Sequence, residues 1–222
     1  MRNSTVDILK AICAMLVVLL HVETPLAHYY QPLMRCAVPC FFMISGYMLA
    51  DGNIYERLQR NIKNVIYLIF WSSAFFIGIK LCLKGFDLSS VVPTKQQFIY
   101  FICLNENPWG FHLWYLSAYL YTLIFAIIVE KYNLWKFAFF CVPLLLIGDL
   151  VLGKYSILLL HQTYNFLYIR NFLFVGIPYF YLGAWLKRTK INDKKIRLNV
   201  LLGGGNFVLY YNNYGKQILN TL

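Results

Sequence analysis

The chain has 222 residues, of which 60% are hydrophobic and only 13% charged. Soluble domains carry about 25% charged residues, so the composition excludes an ordinary water-soluble domain and indicates an integral membrane protein. The net charge of +11 does not read as a nucleic-acid footprint, because the Lys and Arg residues sit in short links between apolar runs, as positive-inside loops do.

A membrane-spanning helix needs about 20 predominantly apolar residues, and windows near that length recur along the chain. The first covers residues 6–26; Arg2 precedes it as in a signal peptide, but no small-x-small cleavage site follows, so it is expected to remain as a span. The second, residues 33–50, ends at the polar segment DGNIYERLQRNIKN with Arg57, Arg60 and Lys63. The third covers residues 65–83 and leads into a polar loop. QQFIYFICL, residues 96–104, is too short to span and reads as a re-entrant or surface helix. The fourth to sixth windows are residues 111–129, 134–152 and 171–186. The tail segment 198–213 carries Gly203, Gly204 and Gly205 at its centre, where glycine weakens a helix. The expected fold is therefore an all-α integral membrane protein of about six transmembrane helices plus a partial seventh, forming one helical bundle.

Orientation follows from charge. A cytoplasmic N-terminus puts Arg57, Arg60, Lys63, Lys131, Lys136, Lys187, Arg188, Lys190, Lys194, Lys195 and Arg197 inside. Fewer cations fall outside: Arg35, Lys80, Lys84, Lys95, Lys154 and Arg170. The six cysteines, Cys13, Cys36, Cys40, Cys82, Cys103 and Cys141, lie mostly in apolar runs without a CxxC pair and read as packing residues. No metal is expected: His21 and His28 are seven apart, but Pro25 interrupts them and no carboxylate completes a ligand set.

Ionisable groups within membrane spans are costly and usually face a cavity, a partner or a substrate path. Lys10 and His21 are eleven positions apart on the first window, which on a regular helix places them on one face ~16 Å apart. His112, Asp149, His161, Arg35 and Arg170 complete the set, and interfacial placement accounts for Asp149 and His161. Three further patterns stand out. FFMISGYMLA, residues 41–50, has Ser45 and Gly46, which admit a close helix or ligand. GFHLWYL, residues 110–116, holds His112 and Trp114, and RNFLFVGIPYFYLGAWL, residues 170–186, holds Arg170 with Gly176 and Gly183 seven apart.

Taken in order, these patterns resemble the acyltransferase-3 family of integral-membrane acyltransferases over residues 5–188, leaving 189–222 as a basic loop and an irregular partial span. The family's D-x-L-R with a later His is similar to Asp7, Leu9, Lys10 and His21, with Lys10 where Arg is usual. Its FF-x-x-SG-[FY] is similar to Phe41, Phe42, Ser45, Gly46 and Tyr47, and its R-x-x-R to Arg57 and Arg60, or one register on to Arg60 and Lys63. Its H-L-W-[FY]-L is similar to residues 112–116. Its R-N motif with following glycines is similar to Arg170, Asn171, Phe174, Gly176, Pro178, Tyr179, Phe180 and Gly183. Family members usually have more spans than the six counted here, so the chain reads as shortened at its C-terminus. Lys10 keeps the usual charge without the bidentate fork of Arg.

The resemblance implies transfer of an acyl group, commonly acetyl, from a cytoplasmic acyl-CoA to a hydroxyl of a cell-envelope glycan or similar acceptor. The implied partners are membrane lipid, the acyl-CoA donor substrate and the acceptor, with no permanently bound cofactor. His21 would act either as general base or as a transient acyl carrier, and His112 would be a second catalytic group or contact the acceptor. Lys10, Arg57, Arg60 and Lys63 would hold the phosphates of the donor. Ser45, Trp114 and Arg170 fall on the substrate side, Arg170 as an oxyanion or sugar-acid partner. The alternative is a non-catalytic protein: a remnant that binds without catalysis, or a membrane transport or binding component.

Overall fold

The computed structural model describes residues 4–22, 31, 33–110, 113–156, 159, 161–162 and 168–189. All regular elements among them are helical. In chain order they are α1 (Ser4–Leu20), α2 (Ala37–Leu49), α3 (Ile54–Leu83), α4 (Lys95–Leu104), α5 (Trp114–Lys131), α6 (Trp135–Asp149) and α7 (Ile177–Arg188). A π-helical turn, Leu150–Lys154, continues α6, and another, Phe172–Gly176, leads into α7. The tail segment 198–213, His28 and His112 lie outside the described residues.

Among the described residues, three helices are long and apolar enough to cross a membrane: Ile54–Leu83, Trp114–Lys131, and α6 with its π continuation, Trp135–Gly153. Leu33–Leu49 is apolar but shorter, and α1 has 17 residues. The outward faces are apolar as a bilayer requires: Met15 and Val18 on α1, Tyr67, Phe70, Trp71 and Phe75 on α3, and Phe137, Phe140 and Leu144 on α6 are exposed.

The polar segment expected between the second and third windows is helical from Ile54 onward, so α3 runs for 30 residues. Asn53 caps its start by accepting from the Glu56 N–H at 3.5 Å. Ile54, Leu58, Ile62, Val65 and Ile69 then recur along one inward face, with Leu58 and Val65 buried. The short amphipathic window forms α4. There Thr94 and Gln97 close a reciprocal capping box, and the helix ends on Asn105 in the left-handed conformation, φ 55°.

The bundle is organised around the crossing of α2 and α7, which make the most extensive helix–helix contact. A Cβ on Gly46 would overlap the Phe180 carbonyl oxygen, and one on Gly183 would overlap the Met43 carbonyl oxygen. Only hydrogen at both positions lets the two backbones touch, the use to which small residues are put in membrane helices. Residues 43–46 face residues 180–183 there, and Lys187 reaches Tyr47 and Asp51 further along, so α2 and α7 run parallel. Trp135 lies against Arg188 while Gly148 lies against Phe174, so α6 is antiparallel to α7. Asn61 meets Tyr119 and Ser73 meets Asn107, so α3 is antiparallel to α5. The core between them holds Leu58, Val65, Leu123, Trp135, Phe180 and Tyr181.

These directions separate two ends of the bundle. One, the basic end, carries Asp51, Arg57, Glu130, Lys131, Lys187 and Arg188. The other, the asparagine end, carries Arg35, Lys84, Asn105, Asn107, Asp149, Arg170 and Asn171.

Candidate functional site

The less exposed stripe of α1 is Asp7, Lys10, Cys13, Val17 and Leu20, spaced three and four residues apart. Lys10 Nζ lies 3.8 Å from the Asp7 carboxylate, and both side chains are about one-third exposed, at 39% and 35%. Cys13 is buried and lies near Cys40 of α2 and Tyr115 of α5, so this stripe faces the bundle. The helix stops at Leu20. His21 occupies the turn beyond it, exposed, with its N–H donating to the Val18 carbonyl at 3.0 Å. The eleven-residue offset from Lys10 therefore survives as a separation along α1, while the shared helix face ends one residue before His21.

At the basic end, the Asp51 carboxylate pairs with Lys187 Nζ at 3.2 Å, and the Arg57 guanidinium donates to the Asp51 carbonyl at 2.6 Å. Hydrogen bonding and charge from Lys187 hold the Asp51 carboxyl below the ordinary carboxylate range. Lys187 also sits 5.0 Å above the Tyr47 ring, and Arg188 lies 3.4 Å from the Trp135 ring centroid. Trp135 in turn donates from Nε1 to Glu130 at 2.6 Å. Of the three cations on α3, Arg57 is half-buried against the end of α2, whereas Arg60 and Lys63 are exposed.

Further into the bundle, Ser45 Oγ donates to the Phe41 carbonyl at 2.8 Å. The Tyr119 hydroxyl lies close to the side chains of both Ser45 and Asn61. Tyr119 stacks on Tyr115 with ring centroids 6.1 Å apart and planes 1° from parallel. Phe42 meets both rings edge-on at 5.1 and 6.0 Å. Trp114, at the start of α5, packs with these rings around Phe42, Ala118 and Val175.

The asparagine end is tied by three buried amides. Asn105 accepts from the Phe172 N–H at 2.9 Å and donates to the Trp114 carbonyl at 3.4 Å, joining the end of α4 to the starts of α5 and the π turn. Asn107 accepts from the Trp109 and Gly110 N–H groups at 3.0 and 3.3 Å and donates to Ser73 at 3.3 Å. Asn171 accepts from the Leu173 and Phe174 N–H groups at 3.0 and 3.1 Å and donates to the Tyr168 carbonyl at 2.9 Å. Beside them, Arg170 is within electrostatic reach of Asp149 and Arg35. An apolar groove of about 350 Å³ opens between α3 and the α4–α5 link, lined by Ile66, Phe70, Ser73, Ile77, Phe101 and Trp109. Among the described residues no three His, Cys, Asp or Glu side chains group as metal ligands would.

The structure thus brings Ser45 into an interior polar group, Trp114 beside it, Arg57 to the basic end and Arg170 to the opposite end. Sequence reasoning did not single out Asn61, Tyr115, Tyr119, Asn105 or Asn107. The N-E-N-P run at 105–108 is a turn signal that points to the last two. Asn61, four residues after Arg57, shares its helix face.

A chain whose described residues form only helices, with long apolar helices, lipid-suited outer faces and polar groups gathered at two ends, is a polytopic membrane protein. The sequence matches the profile of the acyltransferase domain of the acyltransferase-3 family over residues 3–213, and the chain belongs to that family. It is also 36% identical over 136 residues to a "Serine/alanine racemase" of Enterococcus gallinarum, covering 53% of this chain and 18% of that protein. It is 27% identical over 211 residues to an "Amino-acid racemase" of Enterococcus faecalis, covering 86% of this chain and 29% of that protein. The chain therefore spans less than a third of the length of the curated relatives it matches. No solved structure matches it.

Proposed function

We propose that this protein is a plasma-membrane acyltransferase that moves an acyl group, most simply acetyl, from acyl-CoA to a hydroxyl of a cell-envelope glycan or similar acceptor. Family membership supports the acyl chemistry. The observation that carries the assignment of roles is the segregation of groups along the bundle. Arg57, Arg60, Lys63 and Lys187 gather toward one end, and His21 stands beyond the opposite end of α1 from Asp7 and Lys10. With the N-terminus in the cytoplasm, the basic end meets the anionic donor and His21 meets the acceptor.

A hydroxyl is a weak nucleophile near neutral pH. His21, as general base, takes its proton as the oxygen attacks the thioester carbonyl; the tetrahedral adduct then expels the thiolate, which recovers the proton as the free thiol. If His21 instead carries the acyl group, its nitrogen attacks the thioester carbonyl and expels the thiolate, which leaves as the free thiol with the imidazole proton; the acceptor hydroxyl then attacks the acyl-imidazole, and its proton passes to the imidazole as the C–N bond breaks. Lys10 and Arg57 hold phosphate oxygens, and Arg170 with His112 engages the acceptor. His21→Ala is expected to abolish acyl-CoA-dependent transfer in purified, lipid-reconstituted protein without lowering membrane abundance. Transfer retained in that variant overturns the assignment.

A second reading is favoured by the two racemase-named relatives, whose matched part is a minor share of each protein. In it, the helical bundle binds or transports an amino acid instead of transferring an acyl group. Reconstituted vesicles separate the two readings: acyl-CoA consumption supports the first, and uptake of serine or alanine without acyl-CoA supports the second.

A further inference from the structure

The apolar groove beside α3 has a direction and a charged end. Ile66, Phe70, Ser73 and Ile77 line it from α3, spaced three or four residues apart. Lys80 and Lys84 continue the same stripe to the C-cap of the helix. The facing wall is Phe101 of α4 and Trp109 of the link. The polar groups on these walls are turned to the protein: Ser73 accepts from Asn107 at 3.3 Å, and Trp109 Nε1 donates to the Val91 carbonyl at 3.0 Å. Ile66 and Phe70 are exposed on the outer face of α3, so the groove opens sideways, toward the bilayer.

From Ile66 to Ile77 the groove runs about 16 Å along α3, which matches one leaflet's share, about 15 Å, of the hydrocarbon core. A helix 10–12 Å across would fill at least ~1,200 Å³ over that length, more than three times the groove's volume of about 350 Å³. The space admits one flexible chain. At the asparagine end, α4 buries none of its ten residues and exposes Phe98, Ile99 and Ile102, as a helix lying in the membrane surface does, and Trp109 is an aromatic of the interfacial kind. Lys80 is half-exposed about one turn beyond Ile77, and Lys84 is exposed one turn further on, so both ammonium groups reach headgroup level by snorkelling. Asp87, the next carboxylate along the chain, is engaged by the Ser89 hydroxyl at 2.7 Å. An apolar slot of one leaflet's depth with two cations at its mouth is complementary to an acyl chain below a phosphate.

We propose that this groove binds one acyl chain of an anionic phospholipid from the leaflet at the asparagine end, with the lipid phosphate held by Lys80 and Lys84. A helix, whether from a second copy of the chain or from elsewhere, exceeds the girth of the slot and does not call for two cations at its mouth. The site lies apart from the residues proposed to handle the acyl donor and acceptor, and it does not depend on that reading.

The test is native mass spectrometry of the full chain released from nanodiscs of equal phosphatidylglycerol and phosphatidylcholine with matched acyl chains. One retained lipid per chain is expected, with phosphatidylglycerol favoured about five- to thirtyfold, the worth of one or two cations at a membrane surface. Replacing both cations, Lys80→Gln with Lys84→Gln, is expected to bring the two headgroups to parity. Ala74→Trp, which sets a ring into the groove from an exposed position on its wall, is expected to remove retention of both lipids. Lys131→Gln with Lys136→Gln, at the basic end, is expected to change nothing. No retained lipid in the parent, equal retention of the two headgroups, or phosphatidylglycerol retention unchanged by Ala74→Trp overturns the site. Loss of the preference in the basic-end variant also overturns it, because the lipid is then bound there. So does a parent dimer that Ala74→Trp dissociates, because a second copy then covers the groove.

Discussion

The crossing of α2 and α7 makes a sharp prediction, because one chemical change has opposite signs at two positions. In Gly46→Ala the new Cβ overlaps the Phe180 carbonyl oxygen and stands 2.7 Å from the carbonyl carbon. Carbon–carbon contacts are optimal at about 3.5–4.0 Å, so the helices have to part by roughly 1 Å, and a gap of that size forfeits up to about half of each dispersion contact across the crossing. Backbone cannot rotate aside as a side chain can. The expected cost is at the upper end of the overpacking range, about 3 kcal/mol, or a fall in Tm of roughly 6–12 °C for a domain of this size. Gly78→Ala is the control. Gly78 lies within α3 with nothing within 4 Å of an added Cβ, so there the substitution stabilises by about 0.5–1 kcal/mol through helix propensity alone. Heating detergent-solubilised protein and measuring the monodisperse fraction by size exclusion reads both. Gly46→Ala melting with or above the parent, or Gly78→Ala falling as far as Gly46→Ala, refutes the crossing as described.

Other consequences follow from single contacts. Asn171→Ala removes the one oxygen that accepts from two N–H groups, and one donor, at a buried position, which is expected to cost about 2–3 kcal/mol; Asn171→Asp, which keeps the acceptor oxygen, should melt between the two. Tyr181 is fully buried and its hydroxyl has no hydrogen-bond partner among the described residues, so Tyr181→Phe should be neutral or stabilising by about 1 kcal/mol; a clear drop in Tm would show that the hydroxyl is bonded. Asp51 has a carboxyl pKa lowered below 3.8 by Lys187, so its link to α7 holds in full above that pH and is lost as pH falls through the lowered value. Spin labels at Gly52 and Thr189 should therefore report an unchanged distance from neutral pH down to about 4 and separation below it, and separation already near neutral pH would contradict the pairing.

Much of this architecture was legible in hydropathy, because a bilayer selects apolar windows so strongly that α2 and α6 each fall within one and α5 and α7 overrun theirs by only two residues. The start of α3 was not. Its first turns alternate Ile54, Leu58 and Ile62 with charged residues, an amphipathic pattern that a window average reads as a polar link. Ser45 and Gly46 announced a close approach, but small residues do not say what approaches, and the partner at Gly183 lies far along the chain. His21 shows the opposite limit: an ideal helix carries it onto the face of Lys10, whereas the structure ends α1 at Leu20. Asn105 and Asn107 were hidden because an asparagine in a link normally faces water, and only the fold reveals that these two are buried.

The residues that make up the family's pattern divide by task once they are placed. Gly46, Gly183 and Asn171 hold backbones together, and on α7 Ile177, Pro178, Phe180, Tyr181, Gly183 and Ala184 are all buried. That helix is a strut, locked from several sides, and nothing on its inward face is free to meet a ligand. α1 is different in kind: it packs chiefly on α2 and buries only Cys13. Low contact density is where local motion is cheapest. Of the two residues proposed to handle donor charge and acceptor proton, Lys10 therefore stands on a loosely held helix and His21 just beyond its end. The rigid crossing of α2 and α7 supplies the reference against which that helix is positioned, through the contact of Cys13 with Cys40. A proton acceptor at an exposed helix end can meet a large acceptor at the membrane surface, and the strut can remain still while it does so.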